Sequence, residues 1–122
     1  MTGRAPAGWP RDLPPPGTDE FEGKVAGWLL DRGPADLRAS ALRSHPRALA
    51  RYLAHIVEGE LDATRRAYAS ARVELGESLG AAGLTVVQQA LEAEGARLLQ
   101  TQREVALVEE ALARRATVSP PG

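Results

Sequence analysis

His45, His55 and the acids near them are the side chains best suited to metal chemistry. His55 and Glu58 are three positions apart, which places both on one face of a helix. A di-iron bundle needs two Glu-x-x-His motifs and further glutamates, whereas this pair is single and in the reverse order. The chain contains no cysteine, which excludes disulfides, thiolate nucleophiles and Cys-based metal sites. We therefore expect no metal and no cofactor.

Nucleophilic catalysis needs a hydroxyl group beside an oriented base. Ser40, Ser44, Ser70 and Ser78 have no elbow motif around them and no local histidine and acid partners. The glycines form no phosphate-binding motif of the GxxxxGK[ST] or GxGxxG type. The sequence predicts that the protein is not an enzyme.

A basic row is formed by Arg43, Arg47, Arg51 and His55, which are spaced by four, so that from Pro46 onward they share one helix face. Such a row could bind phosphates or an acidic partner. The formal net charge of −1 and the lack of a second basic element favour a solvated face instead. A nucleic-acid- or transcription-associated regulator that uses this face stays an alternative.

The two ends of the chain have the composition of loose segments. Residues 1–17 are rich in proline and glycine, which favour extended chain over helix. Trp9 and Leu13 are large apolar groups in this leader, which suggests that it lies across the helices. Residues 116–122 are expected to form a flexible tail, leaving residues 18–115 as a single helical domain. No apolar run is long enough for a signal peptide or a membrane span, so we expect a cytoplasmic protein that does not bind membranes.

The domain is predicted to be all-α. Thr18 can cap a first helix over residues 19–32, since two acids follow it and Gly33-Pro34 ends it. Pro34 then suits the start of a second short helix, over residues 35–43. The remainder is predicted to form a long antiparallel helical hairpin, with helices at about 46–76 and 84–115 joined by a glycine-rich turn.

Heptad spacing is the evidence for the hairpin, because apolar residues recur every three and four positions in both long helices. The residues expected to pack or to meet a partner along this seam are Leu53, Ile56, Val57, Leu61 and Tyr68 on the first helix and Leu91, Leu98, Val105, Val108 and Leu112 on the second.

Glu94 occupies a seam position of the second helix, where a charge is costly unless it is paired. If the turn is centred near Leu79 to Gly80, the two antiparallel helices pair in a fixed register. Two residues then lie opposite each other when their numbers add up to roughly 159 to 160. We therefore predict a structural ion pair between Glu94 and Arg65 or Arg66. The same pairing places Gly95 near Thr64.

The predicted core is thin, because alanine is the commonest apolar residue and buries little area. Two such hairpins would form a four-helix bundle with a full interior. The sequence thus favours a non-enzymatic protein–protein interaction module, a coiled-coil-like hairpin that forms a homodimer or binds a helical protein partner.

Several stretches resemble a group of small uncharacterised proteins of actinobacteria. They are GWPRDLPPPGTDEFE, VAGWLLDRGPADLR, the long run that begins LRSHPRALARYLAHIVEGEL, and EGARLLQTQREVALVEEAL. The particular features are Trp9-Pro10, residues 28–31 (WLLD), His45-Pro46 and residues 65–68 (RRAY). The resemblance covers most of the chain and implies an all-helical fold, without implying an activity.

Overall fold

The computed structural model describes residues 4–117, and the regular secondary structure within this range is helical, with no strand. The all-α class predicted from the sequence is confirmed for this range. Helix α1 spans Asp19–Leu30 and helix α2 spans Pro46–Thr117, with two short 3-10 helices, Ala35–Ala39 and Ala41–Ser44, between them. The flexible tail predicted over residues 116–122 falls mostly on residues 118–122, which lie outside the described residues, while residues 116 and 117 continue α2.

Helix α1 begins where the sequence predicts. Thr18 Oγ1 accepts a hydrogen bond from the backbone N–H of Phe21 at 3.1 Å, which satisfies one of the free amide groups of the first turn. The helix ends at Leu30, two residues before the predicted end, because the amide groups of Arg32 and Gly33 bond to carbonyls only three residues back. That pattern is a tighter 3-10 turn.

The predicted second helix over residues 35–43 is wrong in form. Ser40 adopts extended torsion angles (φ −81°, ψ 150°) in the middle of this range. Its hydroxyl accepts a hydrogen bond from Leu42 N at 3.1 Å, so Ser40 caps a new turn instead of continuing the first one. Two 3-10 helices result.

Helix α2 begins at Pro46 as predicted, with proline in the first turn where its missing N–H costs nothing. The predicted break over residues 77–83 is much shorter than predicted, because Gly80 alone has non-helical torsion angles (φ 71°, ψ 175°) in the described helix. This combination is accessible essentially to glycine. The predicted hairpin of separate helices at 46–76 and 84–115 is not confirmed in that form, since the chain from Pro46 to Thr117 counts as one helical stretch.

Residues on the two sides of Gly80 nevertheless contact each other. Arg51 Nη1 lies 2.9 Å from Glu109 Oε2, although the residues are 58 positions apart. At about 1.5 Å per residue a straight helix would separate them by roughly 87 Å. We call the two parts of α2 arm A (residues 46–79) and arm B (residues 81–117).

The core contains residues from the leader, α1, the first 3-10 helix and both arms. Leu13 of the leader is 3% exposed, and Phe21 and Leu29 of α1 are fully buried. The indole N–H of Trp9 donates to the carbonyls of Leu13 and Pro14, at 3.0 and 3.2 Å, and its ring centroid lies 5.8 Å from that of Phe21. The leader is therefore docked on the helices.

A polar cluster fixes the leader to α1. Asp12 accepts hydrogen bonds from Trp28 Nε1 at 2.8 Å and from Arg32 Nη2 at 2.9 Å. The Arg32 guanidinium also lies over the Trp28 ring, 3.7 Å from its centroid, a cation–π arrangement. Hydrogen bonds to the Asp12 carboxylate favour its charged form.

Candidate interaction surface

The seam predicted from heptad spacing differs in burial along its length. Seven of its ten residues are 4% exposed or less, and they join one core cluster: Leu53, Val57, Leu61, Leu98, Val105, Val108 and Leu112. Ile56 is partly buried and packs against this cluster. Tyr68 is 41% exposed and Leu91 is half-buried, and both lie nearer to Gly80.

We divide the molecule accordingly into a base, residues 4–61 and 98–115, and a distal segment, residues 62–97. The core cluster ends at Leu61 on arm A and at Leu98 on arm B. Within the distal segment Ala71 alone is classed as buried. The large buried side chains are thus confined to the base.

In the distal segment the apolar residues recur with the same spacing as in the base, but their side chains are less buried. Tyr68, Leu75 and Leu79 are separated by seven and four positions, so they share one face of arm A, and each is 40% or 41% exposed. Across Gly80, arm B contributes half-buried apolar residues at the same kind of spacing. We call this set the open seam: Tyr68, Leu75, Leu79, Leu84, Val87 and Leu91.

A groove of about 320 Å³ lies at the end of the open seam that is farther from Gly80, beside Tyr68 and Leu91. Tyr68 and Leu91 contribute its apolar lining, and Arg65 and Glu92 contribute one charge of each sign. Gly95 and Thr64 also line the groove, and a Cβ atom built on Gly95 would lie 3.9 Å from Thr64 Cγ2. The proximity expected for Gly95 and Thr64 is therefore present.

The predicted ion pair between Glu94 and Arg65 or Arg66 is wrong. Glu94 instead accepts hydrogen bonds from Arg97, with Nε 3.0 Å from Oε1, and Arg66 donates to Asp62 at 2.9 Å. Both carboxylates lie one helical turn from their arginine, so no contact across the arms is needed. Glu94 is 45% exposed, which explains why burial does not force a pairing across the arms.

The hydrogen bond from Arg97 is the main reason that the pKa of Glu94 lies below its ordinary value. The pKa of Arg97 is raised, chiefly by the same hydrogen bond. By contrast, neither Arg65 nor Glu92 makes an ion pair with any residue of the described range 4–117.

The basic row predicted from the sequence is divided and partly neutralised. Arg43 lies in a 3-10 helix and donates to the carbonyl of Arg38. Arg51 pairs with Glu109, and its Nη2 lies 3.3 Å from His55 Nε2. Arg47 and Arg51 line a surface cavity of about 720 Å³ between the start of arm A and the end of arm B. Glu109 also lines this cavity, and its carboxylate offsets part of the positive charge of the arginines there.

No group of three or more histidines and acids in the described part of the chain is arranged to hold a metal ion. His55 and Glu58 are both exposed, and the His55 ring contacts Arg51.

The heptad spacing includes Leu75, Leu84 and Val87, but these residues and Leu79 are not among those that the sequence analysis selects as packing or partner residues. A signal for the open seam exists, because residues 78–91 contain no charged side chain in a protein of which 25% is charged. A helical stretch without charge that still reaches solvent indicates a contact surface.

None of the helices within residues 4–117 combines the length and the apolar character needed to cross a membrane. Comparison with known proteins found no match among protein families, curated proteins or solved structures. The resemblance to small actinobacterial proteins therefore stays a prediction.

Proposed function

We propose that the protein is a non-enzymatic helical interaction module that self-associates through the distal segment. In this proposal arms A and B are the two helices of an antiparallel hairpin, and the base holds the hairpin closed at one end. The cytoplasmic location stays a prediction from the sequence.

Two contacts support the hairpin. Arg51 meets Glu109, and Thr64 lies beside Gly95, so the residue numbers of both pairs sum to nearly the same value. A constant sum is the property of two antiparallel helices in register about a fixed turn. Gly80, halfway between, supplies the non-helical residue that such a turn requires.

The observation that carries the proposal is the open seam. Leu61 is 4% exposed at the end of the core cluster, whereas Leu75, at the equivalent position two heptads further along arm A, is 41% exposed. Two helices alone cannot enclose a seam, because each side chain keeps one side toward water. Contiguous exposed apolar surface of this kind marks interaction sites.

A second copy of the chain is the occupant that we propose. Two hairpins that lay their open seams together form a four-helix bundle, in which every seam residue gains neighbours on its free side. Fully burying a leucine stabilises by about 1.5–3 kcal/mol relative to exposure, and the open seam offers several half-exposed residues.

The nucleic-acid alternative has weaker support. Of the four residues in the basic row, Arg51 is engaged by Glu109 and Arg43 by a backbone carbonyl. A duplex-binding surface would need several free cations on one face. Within the basic row, Arg47 is the clearest candidate for a cation that could contact a phosphate.

Solution mass tests the proposal, measured by light scattering behind a sizing column over a concentration series. We expect the wild-type chain to approach twice its monomer mass at tens of micromolar, and Leu75→Glu to stay monomeric because it places a charge in the seam. Val73→Glu is the matched control. Val73 is 88% exposed and, two residues away, points about 200° around the helix from Leu75.

Val73→Glu should dimerise like the wild type. A wild-type chain that is monomeric at several hundred micromolar, or a Leu75→Glu variant that dimerises normally, would contradict self-association through the open seam. Circular dichroism of both variants checks that helix content is unchanged.

A further inference from the structure

We propose that the dimer is two-fold symmetric with both turns at the same end, and that Arg65 of each copy pairs with Glu92 of the other across the Tyr68 and Leu91 groove. This inference rests on the proposed self-association. It goes beyond it by naming the orientation of the copies and the residues that select it.

A two-fold interface uses the same patch on both copies, so the patch must be complementary to itself. The groove meets this condition. Its centre is apolar, with Tyr68 and Leu91, and it carries one positive charge from arm A and one negative charge from arm B. A patch with one charge on each arm can match its own rotated copy.

The charges also distinguish the two ways of laying one hairpin face on another. If the two-fold axis runs along the arms, arm A of one copy faces arm B of the other, and Arg65 meets Glu92 twice. If the axis crosses the arms at the groove, like arms face each other, so Arg65 meets Arg65 and Glu92 meets Glu92. Like charges placed together at an interface are unfavourable, which selects the first arrangement.

The single chain leaves this pair available. Arg66 and Glu94, the neighbouring arginine and acid, are both taken by residues on their own helix. Arg65 and Glu92 line the same groove without an ion pair to each other or to any other residue within positions 4–117. A second copy supplies each with the opposite charge while it covers the apolar centre.

Charge reversal tests the pairing, with Arg65→Glu and Glu92→Arg made separately. Each variant alone places two like-charge contacts in its own dimer, so we expect dimerisation about tenfold weaker than in the wild type at low salt. An equimolar mixture forms a heterodimer in which both contacts are again opposite in sign. We expect its dissociation constant to return to within about threefold of the wild-type value, and salt to reduce the differences.

Arg66→Glu is the matched control, because it makes the same change of charge one residue away on an arginine that pairs within its own helix. It should dimerise like the wild type. Native mass spectrometry of one isotopically labelled variant distinguishes heterodimer from homodimer.

The outcomes separate this inference from the function on which it rests. A wild-type chain that stays monomeric overturns both. A wild-type dimer that single charge reversals do not weaken, or whose weakening the mixture does not relieve, overturns the pairing and leaves self-association standing. If dimerisation recovers only when Arg65→Glu and Glu92→Arg are combined in one chain, and not in the mixture, the two residues pair within a single copy. That result would also overturn the inference.

Discussion

The base and the distal segment are built from the same two arms with the same apolar spacing, yet they differ in what covers them. In the base, α1 and the leader lie over the arms, and Leu53, Val57 and Leu112 are 1% exposed or less. In the distal segment, Tyr68 and Leu75 are each 41% exposed. A heptad pattern thus indicates which side chains face the other arm. Whether these side chains are buried depends on the further elements that pack over them.

The cover of the base is itself held by specific contacts. The Trp9 ring packs against Phe21 in a tilted arrangement, and Asp12 links the leader to Trp28 of α1 and to Arg32 just beyond its end. Without a third layer, two helices with small side chains could not build this core. The comparison therefore predicts that stability resides in the base, and that association resides in the distal segment.

The largest expected effect comes from truncating the same residue type in the two regions. Leu53→Ala, at a fully buried position, should lower the free energy of unfolding by about 2–5 kcal/mol. Leu75→Ala should cost less than about 1 kcal/mol at concentrations where the chain is monomeric, because much of its side chain is already in water. Urea unfolding of both variants measures the difference, and equal losses would break the comparison.

Gly80 gives the next largest effect. Gly80→Ala should destabilise by about 1–3 kcal/mol, because its torsion angles are strained for any residue with a Cβ atom. Nothing lies within 4 Å of a Cβ built there, so the cost would come from the backbone alone.

Gly59→Ala is the matched control for Gly80→Ala. Gly59 is helical and a Cβ atom there also meets nothing within 4 Å, so alanine should stabilise by about 0.5–1 kcal/mol. Thermal unfolding of both variants shows the sign. A Gly80→Ala protein as stable as Gly59→Ala would mean that the arms do not need this turn.

The smallest effect concerns the anchor of the leader. Partial burial by itself raises the pKa of Asp12, but the hydrogen bonds from Trp28 and Arg32 outweigh it, so the pKa lies below its ordinary value of 3.8. The stabilisation from Asp12 is therefore fully present above that value, and it is lost as the pH falls through the lowered pKa.

Asp12→Asn should accordingly lower the free energy of unfolding at neutral pH by less than about 1 kcal/mol, since the Asp12 side chain is 64% exposed. The difference from the wild type should shrink as the pH falls through the lowered pKa, because the wild-type carboxyl then becomes protonated too. Asp36→Asn is the control, as Asp36 is exposed and is not part of this cluster. A difference that does not change with pH would exclude the charged hydrogen bonds as its cause.

The sequence predicted those features that depend on neighbouring residues. Thr18 identifies the start of α1, Pro46 identifies the start of α2, and the antiparallel register about Leu79 to Gly80 predicts the proximity of Gly95 to Thr64. Each rests on capping chemistry or on regular spacing, which are local properties.

Other features were not predictable because they depend on competition between contacts. Glu94 pairs with Arg97, one helical turn away, and not with a residue of the other arm. Ser40 caps a new turn instead of continuing a helix. The anchoring role of Asp12 needs residues 16 and 20 positions away, which no local pattern reveals. Likewise, spacing alone could not show that α1 and the leader cover the seam in the base and leave it open at Tyr68 and Leu75.

Amide hydrogen exchange, followed by mass spectrometry over a concentration series, tests the central claim most directly. At low concentration we predict slow exchange in the base, at residues 49–61 and 98–112, and faster exchange in the distal segment, at residues 64–91, because fewer buried contacts oppose its opening. As the concentration rises, protection should increase in residues 64–91 and stay constant in the base. Equal protection of both regions at every concentration, or an increase confined to the base, would contradict the account.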